Sequence, residues 1–341
     1  MSRTTINGGA ILVLRIHFTS ADLTRVRLAT RPDPLWEIVC SLHRLQTSQG
    51  RWAYADWHRT TRDALTNTPL GKAVRRLLVP VVPRAAYFPD FLTPHQAAEG
   101  LDEGLTAILD TPPTRVASEV RRLERTNGGP PWGGRLVESK ARQELVKALR
   151  AYHDAVIAPY QDDIYARIAG ERALRARVTV DTGVDGLLGG LTSAMRWCPP
   201  VLEVGYVEDR DLRLDGRGLR IIPSYFCWRT PIALADNALQ PVLVYPLYDS
   251  RPPAPERPSD ASLGALLGKT RAAALRTLAL GATTTELAQQ LGVSPATATH
   301  HTTVLRSAGL ITTQRWQNTV LHTLTPVGAA LLSTGTPSSA A

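Results

Sequence analysis

The stretch SPATATHHTTVLRSAGLI at residues 294–311 carries side chains that suit contact with another polar molecule. It holds four threonines and two histidines, and Arg306 is its single charged residue. Threonine hydroxyls donate and accept hydrogen bonds, and an imidazole nitrogen can do either. Ser294 followed by Pro295 is typical of the start of a helix, and Gly309 of its end. The stretch therefore predicts a short helix with a face made for hydrogen bonding.

The helical period divides this stretch into two faces. The predicted inward face comprises Ala298, His301, Thr302 and Leu305. The predicted outward face comprises Ala296, Thr297, Thr299, His300 and Thr303. The outward residues are small and polar, which suits a helix that enters the major groove of duplex DNA.

The residues before this helix predict its supporting elements. Residues 263–280 place Leu263, Leu266, Leu267, Thr270, Ala274 and Leu278 on one stripe of a packing helix that stops at Gly281. Thr283 and Glu286 then form a capping box at the start of a two-turn helix. Gly292 supplies a tight turn before Ser294 restarts the chain. Two helices joined in this way make a helix-turn-helix, whose second helix can enter a major groove.

The residues after Gly309 predict a two-stranded wing at 311–324. Leu310-Ile311 begins a strand, TQRWQNT makes the turn and TVLHTL at 319–324 returns. Thr325-Pro326 caps a last short helix. Arg315 near the tip is expected to reach a phosphate or the minor groove, and Asn318 is assigned to the same DNA-contacting surface.

Chemistry divides the expected DNA contacts into two groups. Thr283, Thr284, Ser294 and Arg306 offer hydroxyl, amide or charge to phosphates. Thr297, Thr299, His300 and Thr303 can reach base edges or thymine methyls along the recognition helix 295–308, and Ala296 lies on the same DNA-contacting face. Residues 263–332 hold five basic residues against the single acid Glu286, a net charge of four positive. We therefore predict that the partner is double-stranded DNA.

ELAQQLGVSPATATHHTTVLRSAGLI, followed by a wing and TPVGAALL, resembles the winged helix-turn-helix of ArsR-type bacterial transcription regulators. The positions that match the family's recognition-helix pattern are Ser294, Thr297, Thr299, His301, Leu305, Ala308, Gly309 and Leu310. LRIHFTSADLTRVRLATRPDPLWEIVCSLHRL and GRGLRIIPSYFCWRTP resemble the long N-terminal region of actinobacterial members of that family. That second resemblance identifies a group and not a chemistry.

Two departures from the family pattern bear on function. Thr302 stands where the family usually has an apolar residue, so looser packing is expected there. TTELAQQL has no cysteine, so the family's cysteine route to metal sensing is disfavoured. Adjacent His300 and His301 point about 100° apart on a helix, whereas a chelating pair needs a spacing of four. We therefore expect one DNA-facing and one packing histidine, with no metal and no cofactor.

The whole chain has the composition of a globular protein. Its 341 residues are 43% apolar and 20% charged, with a net charge of +9. No apolar run approaches the roughly 18 residues that cross a bilayer, so a cytoplasmic location is expected. The cysteines at 40, 198 and 227 fit neither a disulfide framework nor a close-spaced metal motif, and are expected to be half-buried thiols.

Composition and periodicity predict an α+β protein in three parts. The N-terminal domain, residues 11–248, is expected to be mainly helical with a small antiparallel sheet, and Pro159 should kink or split its longest helix. PLWEIVCSLHRL at 34–45 predicts a helix with one apolar face. In the sheet, LRLDGRGLRII at 212–222 predicts a hairpin that turns at Asp215-Gly216, and SYFCW at 224–228 predicts a strand. Residues 249–262 hold four prolines and predict an extended linker. Residues 263–333 are expected to form the winged helix-turn-helix. The segments at 1–9 and 333–341 are expected to be untethered ends.

The N-terminal domain is expected to carry dimer contacts and an effector site. It lacks G-x-S-x-G, H-E-x-x-H and a phosphate-binding glycine loop in the right context, so an enzyme is disfavoured. Trp197, Tyr225, Phe226, Trp228 and Tyr245 are candidates for an apolar ligand pocket, although aromatic residues in strands more often form plain core. The prediction is a homodimeric repressor. The alternatives are an enzyme of unknown type with a nucleic-acid-binding tail, and a scaffold that binds another protein.

Overall fold

The computed structural model describes residues 12–85, 87–247, 260–316 and 319–333. The chain divides into two compact units, Met1–Arg251 and Pro252–Ala341. Residues 249–259 of the predicted linker lie outside the described residues. Of the predicted untethered ends, residues 1–9 and 334–341 also lie outside them. No helix among the described residues is long and apolar enough to cross a membrane.

Helices make up most of the first unit. They are α1 (Ser20–Leu23), α2 (Pro34–Leu45), α3 (Ala55–Leu65), α4 (Pro69–Ala73), α5 (Val79–Val81), α6 (Leu101–Asp110), α7 (Pro113–Asn127), α8 (Ser139–Tyr152) and α9 (Gln161–Gly189). Helix α2 starts where predicted, because the Asp33 carboxylate accepts a hydrogen bond from the amide of Trp36 at 3.3 Å. Its apolar stripe is buried, with Leu35, Val39 and Leu42 at most 2% exposed.

The longest helical run is split near Pro159, as its sequence predicts. A π-helical turn at His153–Ile157 and a 3₁₀ turn at Ala158–Tyr160 separate α8 from α9. Proline lacks the amide hydrogen that a continuous helix requires at this position. Helix α9 is itself interrupted at Gly183, whose φ is 69°.

Eight strands of the first unit form two four-stranded mixed sheets. The strands are β1 (Leu12–His17), β2 (Arg27–Leu28), β3 (Met195–Cys198), β4 (Val201–Tyr206), β5 (Arg210–Arg213), β6 (Arg220–Ser224), β7 (Ile232–Ala233) and β8 (Val242–Pro246). One sheet has the order β3-β4-β1-β5 and the other β2-β6-β8-β7. Strand β1 pairs parallel to β5, and β6 pairs parallel to both β2 and β8. The prediction of one small antiparallel sheet was therefore wrong.

The predicted hairpin across Asp215-Gly216 is the source of that error. The turn exists, since both residues have positive φ, but it joins two different sheets. The amide of Leu214 donates to the carbonyl of His17 at 3.1 Å, which keeps the end of β5 beside β1. Strands β6 and β8 are buried on both faces, as central parallel strands usually are. The residues of a turn show that the chain reverses, but they do not show which strands pair with the two segments that the turn joins.

The segment SYFCW at 224–228, predicted as a strand, leaves the sheet after Ser224. The backbone amides of Tyr225 and Phe226 donate to the Glu37 carboxylate at 2.9 and 3.1 Å instead of to a neighbouring strand. The Ser224 hydroxyl donates to the same carboxylate at 3.1 Å. Glu37 is 1% exposed and lies on α2, so this segment is fixed to that helix.

Two separate apolar cores support the first unit. A largely helical core includes the fully buried side chains of Trp36, Trp57, Phe91, Tyr152 and Phe226. The other core lies between the sheets and the end of α9 and includes Leu14, Ile16, Leu188 and Tyr245. The cysteines differ from the half-buried expectation, because Cys40 and Cys227 are buried and Cys198 is exposed.

The second unit contains five helices and a three-stranded sheet among its described residues. They are α10 (Asp260–Leu267), α11 (Lys269–Thr277), β9 (Ala282–Thr283), α12 (Thr284–Leu291), α13 (Pro295–Ser307), β10 (Ile311–Trp316), β11 (Thr319–Leu324) and α14 (Pro326–Ser333). The sheet has the antiparallel order β10-β11-β9.

The prediction of a single helix over 263–280 was wrong, because two helices, α10 and α11, occupy this segment. Gly268, with a φ of 85°, ends α10 and separates it from α11. Leu266 and Thr270 of the predicted stripe are exposed, Leu266 by 71%, whereas Ala274 and Leu278 of the same stripe are fully buried. A left-handed glycine within an apolar periodic segment ends the helix there, because only glycine takes that φ without steric cost.

Candidate nucleic-acid interface

Side-chain caps and one tight turn position α12 and α13. The Thr283 hydroxyl accepts from the amide of Glu286 at 3.2 Å, and the Glu286 carboxylate accepts from the amide of Thr283 at 2.8 Å. This reciprocal pair is the predicted capping box. Gly292 ends α12 with a φ of 63°, and the Ser294 hydroxyl accepts from the amide of Thr297 at 3.1 Å to start α13. Local sequence signals were therefore sufficient to locate both helices.

The inward face of α13 agrees with the prediction. Ala298, Thr302 and Leu305 are at most 4% exposed, and His301 is half-buried. The Thr302 hydroxyl donates to the carbonyl of Thr299 at 3.0 Å. This departure from the apolar family pattern is accommodated, because the buried hydroxyl has a hydrogen-bond partner within its own helix.

The outward face of α13 is open. Ala296, Thr299, His300 and Thr303 are exposed, and Thr297 is half-buried. The hydroxyls of Ser294 and Thr297 lie 2.8 Å apart, and that of Thr299 donates to the carbonyl of Pro295 at 2.9 Å. Within the described chain, the side chains of His300 and Thr303 have no hydrogen-bond partner. The face thus presents one free imidazole, one free hydroxyl, acceptor oxygens and methyl groups.

All three hydroxyls assigned to phosphate contact already have intramolecular roles, and that of Ser294 caps α13 as described above. The Thr283 hydroxyl donates to the Glu286 carboxylate at 2.9 Å. The Thr284 hydroxyl lies 3.0 Å from Nε2 of His322. Arg306 is exposed near the end of α13 and forms no ion pair among the described residues. Among the four residues assigned to phosphate contact, Arg306 is therefore the one whose hydrogen-bond donors are all available to DNA.

The β10–β11 hairpin follows α13, with Ile311 opposite Leu324 and Trp316 opposite Thr319. Arg315 lies on β10 opposite Val320, and its side chain is outside the description. Asn318 lies outside the described residues. Strand β9 adds to the far edge of the hairpin, so the two strands are joined to the segment that starts α12.

His322 is a structurally important residue that the sequence analysis missed. It is 4% exposed, and its Nδ1 lies 2.9 Å from the Thr313 hydroxyl while its Nε2 faces Thr284. Burial, together with the charge of Arg306, lowers the pKa of His322 below its usual value. One neutral imidazole thus links β11 to β10 and to α12. TVLHTL alternates too weakly to indicate which of its residues faces inward.

The structure divides the five aromatics named as candidates for a ligand pocket between the two cores of the first unit. Tyr225 and Trp228 both contact the ring of Tyr54, at centroid distances of 5.7 and 5.8 Å. Trp197 and Tyr245 belong to the other core. Their polar atoms are bound there, since Trp197 donates to Asp185 at 2.7 Å and Tyr245 to Glu171 at 2.9 Å.

Part of the second unit is similar to a known protein family. A family described as a helix-turn-helix domain matches residues 266–314. This range runs from α10 to β10 and includes both capped helices and the turn between them. No curated protein and no solved structure matches the chain. Residues 266–314 are therefore similar to a helix-turn-helix domain, and a domain of this type indicates DNA binding.

Proposed function

We propose that this protein is a transcription regulator that binds operator DNA through residues 263–333. Helix α13 is the recognition helix in the major groove, and the β10–β11 hairpin is the wing of a winged helix-turn-helix. The residues that match the ArsR-type pattern support assignment to that family. In this proposal the protein acts in the cytoplasm as a repressor, by covering the promoter of its target gene.

The exposed, uncharged face of α13 is the observation that carries the proposal. Its outward residues are small, so the helix backbone can approach the floor of a groove about 12 Å wide. The free imidazole of His300 can bond to N7 or O6 of a purine, and the threonine methyls can pack against thymine methyls. Since the face carries no acid, the phosphates that flank the groove do not repel it.

Affinity in this proposal comes from the basic residues of the same unit. Arg306 and Lys269 are exposed in the same unit, and Arg315 lies on the wing. The one acid of this region, Glu286, is held in the capping box of α12. Each phosphate contact releases condensed counterions, so binding should weaken steeply as salt is added.

A single recognition helix spans too few base pairs to select a site in a genome. We therefore propose a homodimer whose two α13 helices sit about 34–36 Å apart on a pseudo-palindromic operator. The first unit supplies the dimer contacts and a regulatory site, and the proposal assigns it no catalysed reaction.

The direct test is recovery of genomic DNA by the purified full chain, followed by sequencing and a mobility-shift titration of the recovered fragments. Specific binding should survive an excess of competitor DNA at about 150 mM salt, with an affinity at least ~10³-fold above non-specific binding. Val327→Ser on the exposed surface of α14 is a matched control that should leave binding unchanged. Failure of every fragment to shift beyond competitor would refute the proposal.

A further inference from the structure

A cavity of about 390 Å³ lies within the first unit. It is lined by the C-terminal half of α2, residues 84–85 and 87–90, residues 206–210 at the end of β4 and the start of β5, and residues 226–235. Small-molecule sites usually occupy about 300–1,000 Å³, so the cavity is large enough for a compact organic ligand. Of the five aromatics named as candidates for a ligand pocket, Phe226 and Trp228 line it.

The walls of the cavity are mainly aromatic and aliphatic. Phe88, Tyr206, Phe226, Trp228 and Ile232 all contribute to its lining. The rings are held rigidly by their neighbours, since Phe88 packs edge-on against Trp36 and Trp228 against Tyr54. Flat apolar walls that cannot collapse favour a ligand with a flat apolar body.

Arg44 places a buried positive charge at this cavity. Its side chain is 4% exposed, its Nε has no hydrogen-bond partner, and its Nη1 donates to the carbonyl of Gln49 at 3.3 Å. No carboxylate among the described residues forms an ion pair with it. Burial lowers the pKa of the Arg44 guanidinium. A buried guanidinium without a counter-ion destabilises a fold, so its retention points to a partner that arrives from outside.

Two more buried nitrogens of the lining lack partners. Nε1 of Trp228 and Nε2 of His43 make no hydrogen bond within the described chain. Indole and guanidinium nitrogens can only donate, so the missing partner has to supply acceptors. His43 is neutral at pH 7, because burial and the charge of Arg44 lower its pKa to about 4.

The acidic side chains of the lining do not fill this role. Both oxygens of Asp90 accept backbone hydrogen bonds, from Ala235 at 3.0 Å and from Asp236 at 2.8 Å. Glu208 is exposed. The carboxylate that would complement Arg44 is therefore not supplied by the lining itself.

From these contacts we infer that the cavity binds a small organic acid, with its carboxylate on Arg44 and Trp228 and its flat apolar body between Phe88 and Phe226. A carboxylate is acceptor-only and pairs with a guanidinium through two parallel hydrogen bonds, which satisfies the orphaned donors together. The site is defined within the first unit and does not depend on the proposed DNA binding.

The test is calorimetric titration of the full chain with naphthalene-1-acetate and, separately, with naphthalene-1-acetamide. The two probes have nearly the same shape and differ in charge. We expect the carboxylate to bind with a Kd below about 1 mM and the amide to bind at least tenfold more weakly, a difference of about 1.4 kcal/mol. No DNA is present, so the result is independent of the proposed function.

Arg44→Met distinguishes a ligand-binding role from a structural one. If Arg44 serves the ligand, the variant should have an unchanged or higher Tm without ligand and should lose at least tenfold of its affinity for naphthalene-1-acetate. If Arg44 is structural, its loss should lower the Tm. Arg121→Met on the exposed surface of α7 is the matched control and should alter neither property.

A second variant keeps the test decisive if Arg44→Met does not fold. Trp228→Phe retains an aromatic wall but removes the indole donor, and should weaken carboxylate binding about threefold to tenfold. Equal binding of acid and amide, no binding of either probe at 5 mM (about five times the expected upper limit), or unchanged carboxylate affinity in the folded variants would each overturn the inference.

Discussion

The outward side chains of α13 differ in what their polar groups already bind. The Thr299 hydroxyl donates to its own helix, whereas His300 and Thr303 are free of hydrogen bonds within the described chain. A group without an intramolecular partner can direct its full hydrogen-bonding capacity to a base edge. His300 and Thr303 should therefore contribute more to base selection than Thr297 or Thr299.

His300→Ala and Thr303→Ala should each relax or change the preferred base at one or two operator positions. A lost base contact is worth about 1–3 kcal/mol, so affinity for the intact operator should fall roughly 5-fold to 150-fold. Affinity for unrelated DNA should change less than twofold. Selection from a randomised operator library measures both quantities, and an equal loss on every sequence would contradict base reading by these two residues.

Arg315→Ala should behave in the opposite way. A phosphate contact carries no sequence information, so its removal should weaken binding to all sequences alike. The slope of log K against log salt should become less steep by about 0.9 for each phosphate contact that is lost. Titrations at several salt concentrations measure this slope. A changed base preference would indicate that Arg315 contacts bases in the minor groove and not phosphates.

Glu37 makes the stability of the first unit depend on pH. Burial raises its pKa to about 7, although hydrogen bonds from Tyr225, Phe226 and Ser224 act against the shift. The folded state thus binds this proton more tightly than the unfolded state does. The contribution of Glu37 to the free energy of unfolding should fall as pH rises from about 4.5 to about 7.

A comparison of the wild type with Glu37→Gln isolates this contribution. His43 and His58, whose pKa values burial lowers to about 4, change stability with the opposite sign, but they do so in both proteins. Relative to the variant, the wild type should gain at least about 1 kcal/mol between pH 8 and pH 5. Denaturant unfolding followed by tryptophan fluorescence measures the difference. A constant difference across this range would contradict the raised pKa.

At the scale of elements, the two units differ in how far their sequence predicts them. The caps of α12 and α13 involve residues at most three positions apart, so Thr283, Glu286 and Ser294 were sufficient to predict them. The sheets pair strands nearly 200 residues apart, such as β1 with β4 and β5. Alternation indicates that a strand exists and which side is buried, but it does not identify its neighbour.

The same limit explains which residues of the candidate site could be predicted from the sequence. The outward face of α13 follows from helical period alone. Glu37 and His322 act through partners distant in sequence, such as the Thr284 that faces His322 from 38 positions away. A buried charged or imidazole side chain in an otherwise apolar pattern is the only local sign of such a role, and it does not name the partner.

His322→Ala should loosen the hairpin without unfolding the first unit. The hydroxyls of Thr284 and Thr313 would both lose their buried partner, at about 1–3 kcal/mol for each group left unsatisfied. Amide hydrogen exchange in β10 and β11 should accelerate accordingly, since local opening sets the exchange rate. His300→Ala on the exposed face of α13 is the control and should leave this exchange unchanged.

The lowered pKa of His322 adds a pH test. The folded hairpin favours the neutral imidazole, so its stabilisation is complete above about pH 6.5 and is lost as pH falls below that value. Hairpin exchange, corrected for its intrinsic pH dependence, should therefore reveal weaker protection at pH 5 than at pH 7.5 in the wild type. His322→Ala should lack this difference; an equal difference in both proteins would remove His322 as its cause.

At the scale of the whole molecule, we propose different roles for the two units: the second binds DNA, and the first forms the dimer. Once one α13 has bound its half-site, the dimer presents the other at a high effective concentration, which raises overall affinity by 10²–10⁴-fold without any new contact. A chain that lacks the first unit loses this gain but keeps every contact that each half-site makes.

The full chain should therefore bind an intact operator at least ~100-fold more tightly than an operator with one half-site scrambled. A fragment of residues 260–341 should show a difference below about tenfold and should bind each DNA much as the full chain binds a single half-site. Mobility-shift titrations of the two proteins on the two DNAs measure all four affinities. A fragment that discriminates as strongly as the full chain would place the dimer contacts in the second unit. A full chain that does not discriminate would show that the protein reads DNA one copy at a time, because only a second, physically linked reading helix makes the scrambled half-site matter.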